Sequence, residues 1–91
     1  MKPLNYVRDH KTAINGVLAR YHVENPRYIP ESSGEAEVVL LVRPEGRVSY
    51  FDVFRIEDAL SHELQAKVTI LTEGGLKGAD RDRILSIAQK V

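Results

Sequence analysis

Gly34-Glu35-Ala36-Glu37-Val38-Val39-Leu40-Leu41-Val42 is the stretch on which the fold turns. Its last five residues are all apolar and three of them are valine. A run this short, closed by Arg43-Pro44-Glu45-Gly46, predicts a strand over 35–42 that is buried on both faces. A helix of that length would not bury every side before meeting a proline. The closing tetrapeptide has proline second and glycine fourth, the pattern of a type I turn.

Working outward on the N-terminal side, Leu4, Val7, Ile14, Val17, Leu18 and Tyr21 recur at helical spacings, so residues 4–22 are expected to form one helix. Asn25-Pro26 is expected to end it, because the residue before proline is pushed out of the α region. Arg27-Tyr28-Ile29 then reads as a short first strand, and Pro30 to Gly34 as a turn. On the C-terminal side Ser49 and Asp52 approximate a capping box. Val53, Ile56, Leu60 and Leu64 form the apolar stripe of the helix that follows, widened by Phe51 and Phe54. Residues 67–72 alternate as a third strand with one buried face. Gly74 to Gly78 reads as a flexible connection. Asp80 is expected to cap a last helix carrying Ile84, Leu85, Ile87, Ala88 and Val91. The whole, residues 1–91, is read as one α+β domain with helices packed on a small three-stranded mixed sheet.

The bulk numbers narrow the function. Thirteen basic residues balance thirteen acidic ones, so charge alone makes no case for nucleic acid or an anionic membrane as a partner. With no cysteine, disulfides, thiolate metal sites and a cysteine nucleophile are excluded, which accords with a cytoplasmic protein. No targeting segment is expected, and the longest apolar run falls far short of a membrane span. A chain of 91 residues buries only ~60–65% of its unfolded surface, so its core is modest.

With these segments in order, the chain resembles the minimal nucleotidyltransferases of the DNA polymerase beta superfamily over nearly its whole length. Asn25-Pro26-Arg27-Tyr28-Ile29 is similar to the family's first strand. Gly34-Glu35-Ala36 is similar to the end of its Gly-Ser-x-x-Arg-Gly-Glu-Ala turn, and residues 37–42 to its Asp-x-Asp-Leu-Leu-Val strand. Residues 51–64 match its next helix. Residues 67–76 resemble its Val-Asp-Leu-Val-Thr-Glu-Gly-Gly-Leu segment, and Arg81-Asp82-Arg83-Ile84-Leu85 its tail.

The resemblance implies a nucleotidyltransferase-like fold, and the departures fall on the chemistry. In the family the Gly-Ser turn holds the triphosphate and three aspartates hold two magnesium ions. Here the turn is Pro30, Glu31, Ser32, Ser33 and Gly34, and the aspartate positions carry Glu37, Val39 and Thr69. Valine offers magnesium no ligand and threonine a weak one. The reading is a catalytically degenerate relative, needing no cofactor and acting by contact with another protein. The family implies as partner a helical HEPN-domain protein, to which this chain would be the antitoxin-like half; a homodimer is the other partner weighed. The surface expected to serve runs from Gly74 to Val91 with the exposed face of residues 50–64. The alternative function is an active enzyme that uses Glu37 and other acids to transfer a nucleoside monophosphate from an NTP with magnesium.

Other residues have simpler readings. Glu31, Glu35 and Glu37 could hold a relocated metal, but turn acids are ordinarily solvated. His10, His22 and His62 lack ligand-like spacing. Gly74-Gly75-Leu76-Lys77-Gly78 lacks the spacing of a P-loop. Tyr6, Tyr21, Tyr28 and Tyr50 are given packing or surface roles rather than base stacking.

Overall fold

A computed structural model describes residues 1–31 and 34–91. Four helices, a 3-10 turn and four strands follow in the order α1 (Leu4–Asp9), α2 (Lys11–Arg20), β1 (Val23–Tyr28), β2 (Val38–Pro44), α3 (Tyr50–Leu64), β3 (Val68–Thr72), the turn Glu73–Gly75, α4 (Gly78–Ile87) and β4 (Gln89–Lys90). The sheet order is β3-β2-β1-β4. β2 lies parallel to β3 and antiparallel to β1, and β4 runs antiparallel to β1. The α+β class holds, with one strand more than the three expected.

The apolar run of the decisive stretch is a strand in the sheet interior, but Glu35, Ala36 and Glu37, expected within it, precede β2. Residues 38–42 are each at most 1% exposed, because β2 has a neighbour on either edge and side chains over both faces. Val38, Leu40 and Val42 point into the larger core with Val7, Ile14, Val17 and Leu18 of the first two helices and Ile56, Leu60 and Leu64 of α3. Val39 and Leu41 point the other way, into a smaller cluster with Ile29, Ala36 and Ile84. Burying a residue of this kind contributes about 1.5–3 kcal/mol.

Several boundaries differ from the sequence reading, each for a local reason. The first helical segment is broken at His10. Its backbone N–H reaches back to Val7, while its ring Nδ1 lies 2.8 Å from the Tyr6 carbonyl that the break would otherwise leave open. Asn25-Pro26 does not end a helix. α2 stops at Arg20, His22 takes a left-handed backbone (φ 57), and Asn25 (φ 56) with Pro26 forms an irregularity within β1, where the register shifts between Glu24 and Arg27. A residue without an N–H is tolerated at such a bulge. β2 likewise runs on through Pro44 rather than turning after Val42.

Helix α3 opens on the expected capping box, Ser49 Oγ accepting from Asp52 N–H at 3.2 Å and the Asp52 carboxylate from Ser49 N–H at 3.3 Å. Phe51 and Phe54, however, do not widen the buried stripe; they are 75% and 59% exposed. Asp80 makes no cap. It lies inside the first turn of α4, where Lys77 holds the cap position with no side-chain bond. The chain then leaves the helix after Ile87, so Gln89 and Lys90 can pair with β1 and Val91 can reach the larger core.

Candidate functional site

The side chains that would carry chemistry lie on the sheet face away from α1, α2 and α3. Parallel pairing sets Val39 directly opposite Thr69. Alternation along both strands puts them on one face, with Leu41 and Leu71 one step further. The structure therefore does bring together the positions that the family resemblance singles out, with Glu37 standing just ahead of β2.

Of those positions one is apolar and two are polar. Val39 is 1% exposed and packs with Ile29, Leu41 and Ile84. Thr69 is partly exposed beside it. Glu37 is exposed, and its Oε2 accepts the Lys67 backbone N–H at 3.1 Å. Its main chain ties the strand entrance to its neighbours: its N–H donates to the Lys67 carbonyl at 2.8 Å, and its carbonyl accepts from Lys2 N–H at 2.7 Å. The carboxylate thus serves the start of the β2–β3 ladder.

The acidic cluster disperses in the same way. Glu35 meets Lys67 Nζ at 3.2 Å, and Glu31 pairs with Arg83 of α4. The hydrogen bond and charge of Glu31, helped by Asp80, raise the Arg83 guanidinium above its ordinary pKa. Among the described residues no three His, Asp or Glu side chains gather as a metal would require. Pro30 is exposed and Gly34 takes a left-handed backbone (φ 59). Ser32 and Ser33 lie outside the described residues. A cavity of about 200 Å³ remains beside Val39 and Leu71, floored by Ile84 and rimmed by Glu31, Asp80 and Arg83.

The glycine segment after β3 is a structural turn. Gly75 approaches Thr72 so closely that a Cβ there would sit 2.9 Å from its Oγ1, and Leu76 packs on the smaller cluster. The histidines stay apart: His10 seals α1, His22 makes the turn into β1, and His62 is exposed on α3. Tyr28 donates to the Lys2 carbonyl at 2.6 Å and Tyr6 donates to the Leu64 carbonyl, both joining distant parts of the chain.

Three features escaped the sequence reading. Arg27, opposite Leu41 in the register, forms a 2.6 Å ion pair with Glu73 at 15% and 26% side-chain exposure. Above it Arg43 pairs with Glu24, which raises the Arg43 pKa. The free edge of β3 is also closed by α3: Ser61 Oγ accepts the Val68 N–H at 3.0 Å and Glu57 Oε2 the Ile70 N–H at 2.8 Å. Finally, Tyr50, Phe51 and Phe54 form an exposed aromatic ledge. The first two needed tertiary pairing to be seen; the ledge was visible as Arg47-Val48-Ser49-Tyr50-Phe51-Asp52-Val53-Phe54-Arg55, an arginine-flanked aromatic run.

Helices packed on a four-stranded mixed sheet of order β3-β2-β1-β4 accord with the nucleotidyltransferase class of fold. No family model and no curated protein matches the chain. A solved structure described as "Structure of putative minimal nucleotidyltransferase" superposes with a TM-score of 0.78 at 25% identity, over 99% of this chain and 97% of that one. The chain has the minimal nucleotidyltransferase fold from end to end. No helix is long and apolar enough to cross a membrane among the described residues.

Proposed function

We propose that this chain is a catalytically degenerate nucleotidyltransferase-fold protein that acts by protein–protein contact, as the antitoxin-like partner of a helical HEPN-domain protein. The observation that carries the reading is Val39. At the centre of the β2–β3 pair, where the resemblance puts a metal-binding aspartate, stands a buried valine in an apolar cluster. Two-metal catalysis clamps the attacking and leaving oxygens of an in-line displacement, and magnesium requires oxygen ligands in near-octahedral geometry. One exposed carboxylate already bonded to Lys67 and one threonine hydroxyl do not make that donor set. The magnesium pair of the family does not fit these residues.

The test is calorimetry with magnesium and ATP, together with an assay for pyrophosphate release in the presence of the product of the adjacent gene. No specific nucleotide binding and no pyrophosphate are expected, with co-purification of an all-helical neighbour. Micromolar ATP binding with pyrophosphate release would overturn the degenerate reading.

A further inference from the structure

Helix α4 is held to the molecule differently from α3. α3 buries Ile56, Leu60 and Leu64, opens on a capping box, and bonds the edge of β3 through Ser61 and Glu57. α4 buries Ile84 alone, with Leu85 and Ile87 half covered beside it. Residues 77–83 are all exposed. The N-terminus of α4 has no side-chain cap, so its first amides are left to water. Among the described residues its one hydrogen bond to another part of the chain is the Arg83–Glu31 pair. Both of those side chains are nearly half exposed, and solvent weakens such a contact. The packing beneath the helix is incomplete as well. Ile84 shares a cavity of about 200 Å³ with Val39, Leu71 and Ile29, and atoms that line a void lack partners on one side.

The chain on either side of α4 is anchored. Before it, Glu73 pairs with Arg27 at 2.6 Å and Leu76 packs on the smaller cluster. After it, Gln89 and Lys90 pair with β1, the Lys90 carbonyl accepts from the Arg8 guanidinium at 3.0 Å, and Val91 is 8% exposed in the larger core. Between these anchors the backbone has two points at which to turn. Gly78 has φ 60, a left-handed conformation that glycine adopts without strain. Ala88 is already extended where the helix ends. A weakly packed element between two fixed ends can open without unfolding the rest of a domain.

We infer that α4 is a strap: it lifts from the sheet face that bears Val39, turning about Gly78 and Ala88 while residues 73–76 and 89–91 stay in place, and so uncovers Val39, Leu71 and Ile29 in the folded protein. The motion follows from this packing and is independent of whether nucleotide transfer survives.

The chain has no cysteine, so a single introduced thiol reports alone. Val38 and Val39 are adjacent on β2, 0% and 1% exposed, and point to opposite faces. Val38→Cys, Val39→Cys and Val91→Cys are each labelled with iodoacetamide and with a bulky maleimide, at several urea concentrations below the unfolding transition. Rates are divided by those of the same variant unfolded in urea, and the global stability of each variant is measured. Val39→Cys should be labelled at least about tenfold faster than global unfolding allows, at a rate that barely changes with urea, since lifting one helix exposes little surface. Val38→Cys and Val91→Cys should be labelled only through global unfolding. Adding Ile84→Ala should speed labelling of Val39→Cys about tenfold further and leave the other two tied to global stability. In the unsubstituted chain, hydrogen exchange should release the amides of residues 82–87 well before those of α3. Labelling of Val39→Cys at the global-unfolding rate, equal protection of α4 and α3, or an advantage of Val39→Cys that vanishes with the bulky reagent would each overturn the inference. So would labelling of Val91→Cys in step with Val39→Cys, which would mean that the whole C-terminal segment frays.

Discussion

The two faces of the sheet are built from alternate residues of the same strands, yet they are different kinds of surface. Val38, Leu40, Val42, Val68 and Ile70 face three helices and share the larger core. Val39 and Leu41 pack with α4, which buries only Ile84. The first face holds the fold together. The second carries the positions that the family resemblance singles out, and it is lined with aliphatic side chains and rimmed by a half-exposed pair between Glu31 and Arg83. Aliphatic packing at a position that would carry charge in an enzyme removes the cost of burying an unpaired carboxylate. The second face is a small apolar cluster set apart from the larger core.

That contrast can be broken at its strongest point first. Leu40→Ala and Leu41→Ala remove the same atoms from equally buried neighbours on opposite faces. Leu40→Ala should cost about 3–5 kcal/mol and Leu41→Ala about 2–3 kcal/mol, because a site covered by one loosely held helix collapses more readily around a deletion. Urea unfolding measures both, and equal losses would show that the faces are equally well packed.

Next in size is V39D/T69D, which restores two carboxylates to the second face. The double variant should lose roughly 3 kcal/mol, chiefly from the carboxylate that replaces Val39 among Ile29, Leu41 and Ile84 without a metal. It should still release no pyrophosphate, since positioning of the triphosphate and metal binding act as a unit. Nucleotide transfer by this variant would show that residues 30–34 already form a working phosphate site, and magnesium-dependent recovery of stability would show that the metal pair can be rebuilt.

The smallest effect concerns the rim. Arg83→Ala breaks the pair with Glu31, but both side chains are nearly half exposed and solvent screens such contacts. Its unfolding midpoint should be indistinguishable from that of the parent chain. A clear drop would mean that α4 is held by its charges rather than by Ile84.

The class of fold, the buried central strand and the capped third helix were legible in the chain itself. Each depends on local pattern: five apolar residues between turn formers, Ser49 three residues before Asp52, and a stripe at helical spacing. That Glu37, Val39 and Thr69 stand at the positions the resemblance singles out is likewise a reading of residue identity alone.

Tertiary structure decided the rest, where two segments compete for one group or one face. The break at His10 depends on a ring reaching the Tyr6 carbonyl. β4 exists because β1 has an edge for Gln89 and Lys90 to pair with, and two residues carry no periodicity from which to read a strand. Phe51 and Phe54 fit the apolar stripe of α3 by type, but the larger core is filled by Ile56, Leu60 and Leu64, which leaves the two rings in water. Nothing in the sequence around Glu37 tells that the register brings Lys67 N–H to its carboxylate. Residue types and spacing set which side chains can be buried or bonded; only the packed chain sets which of them are, because each place in a core and each hydrogen-bonding group is filled once.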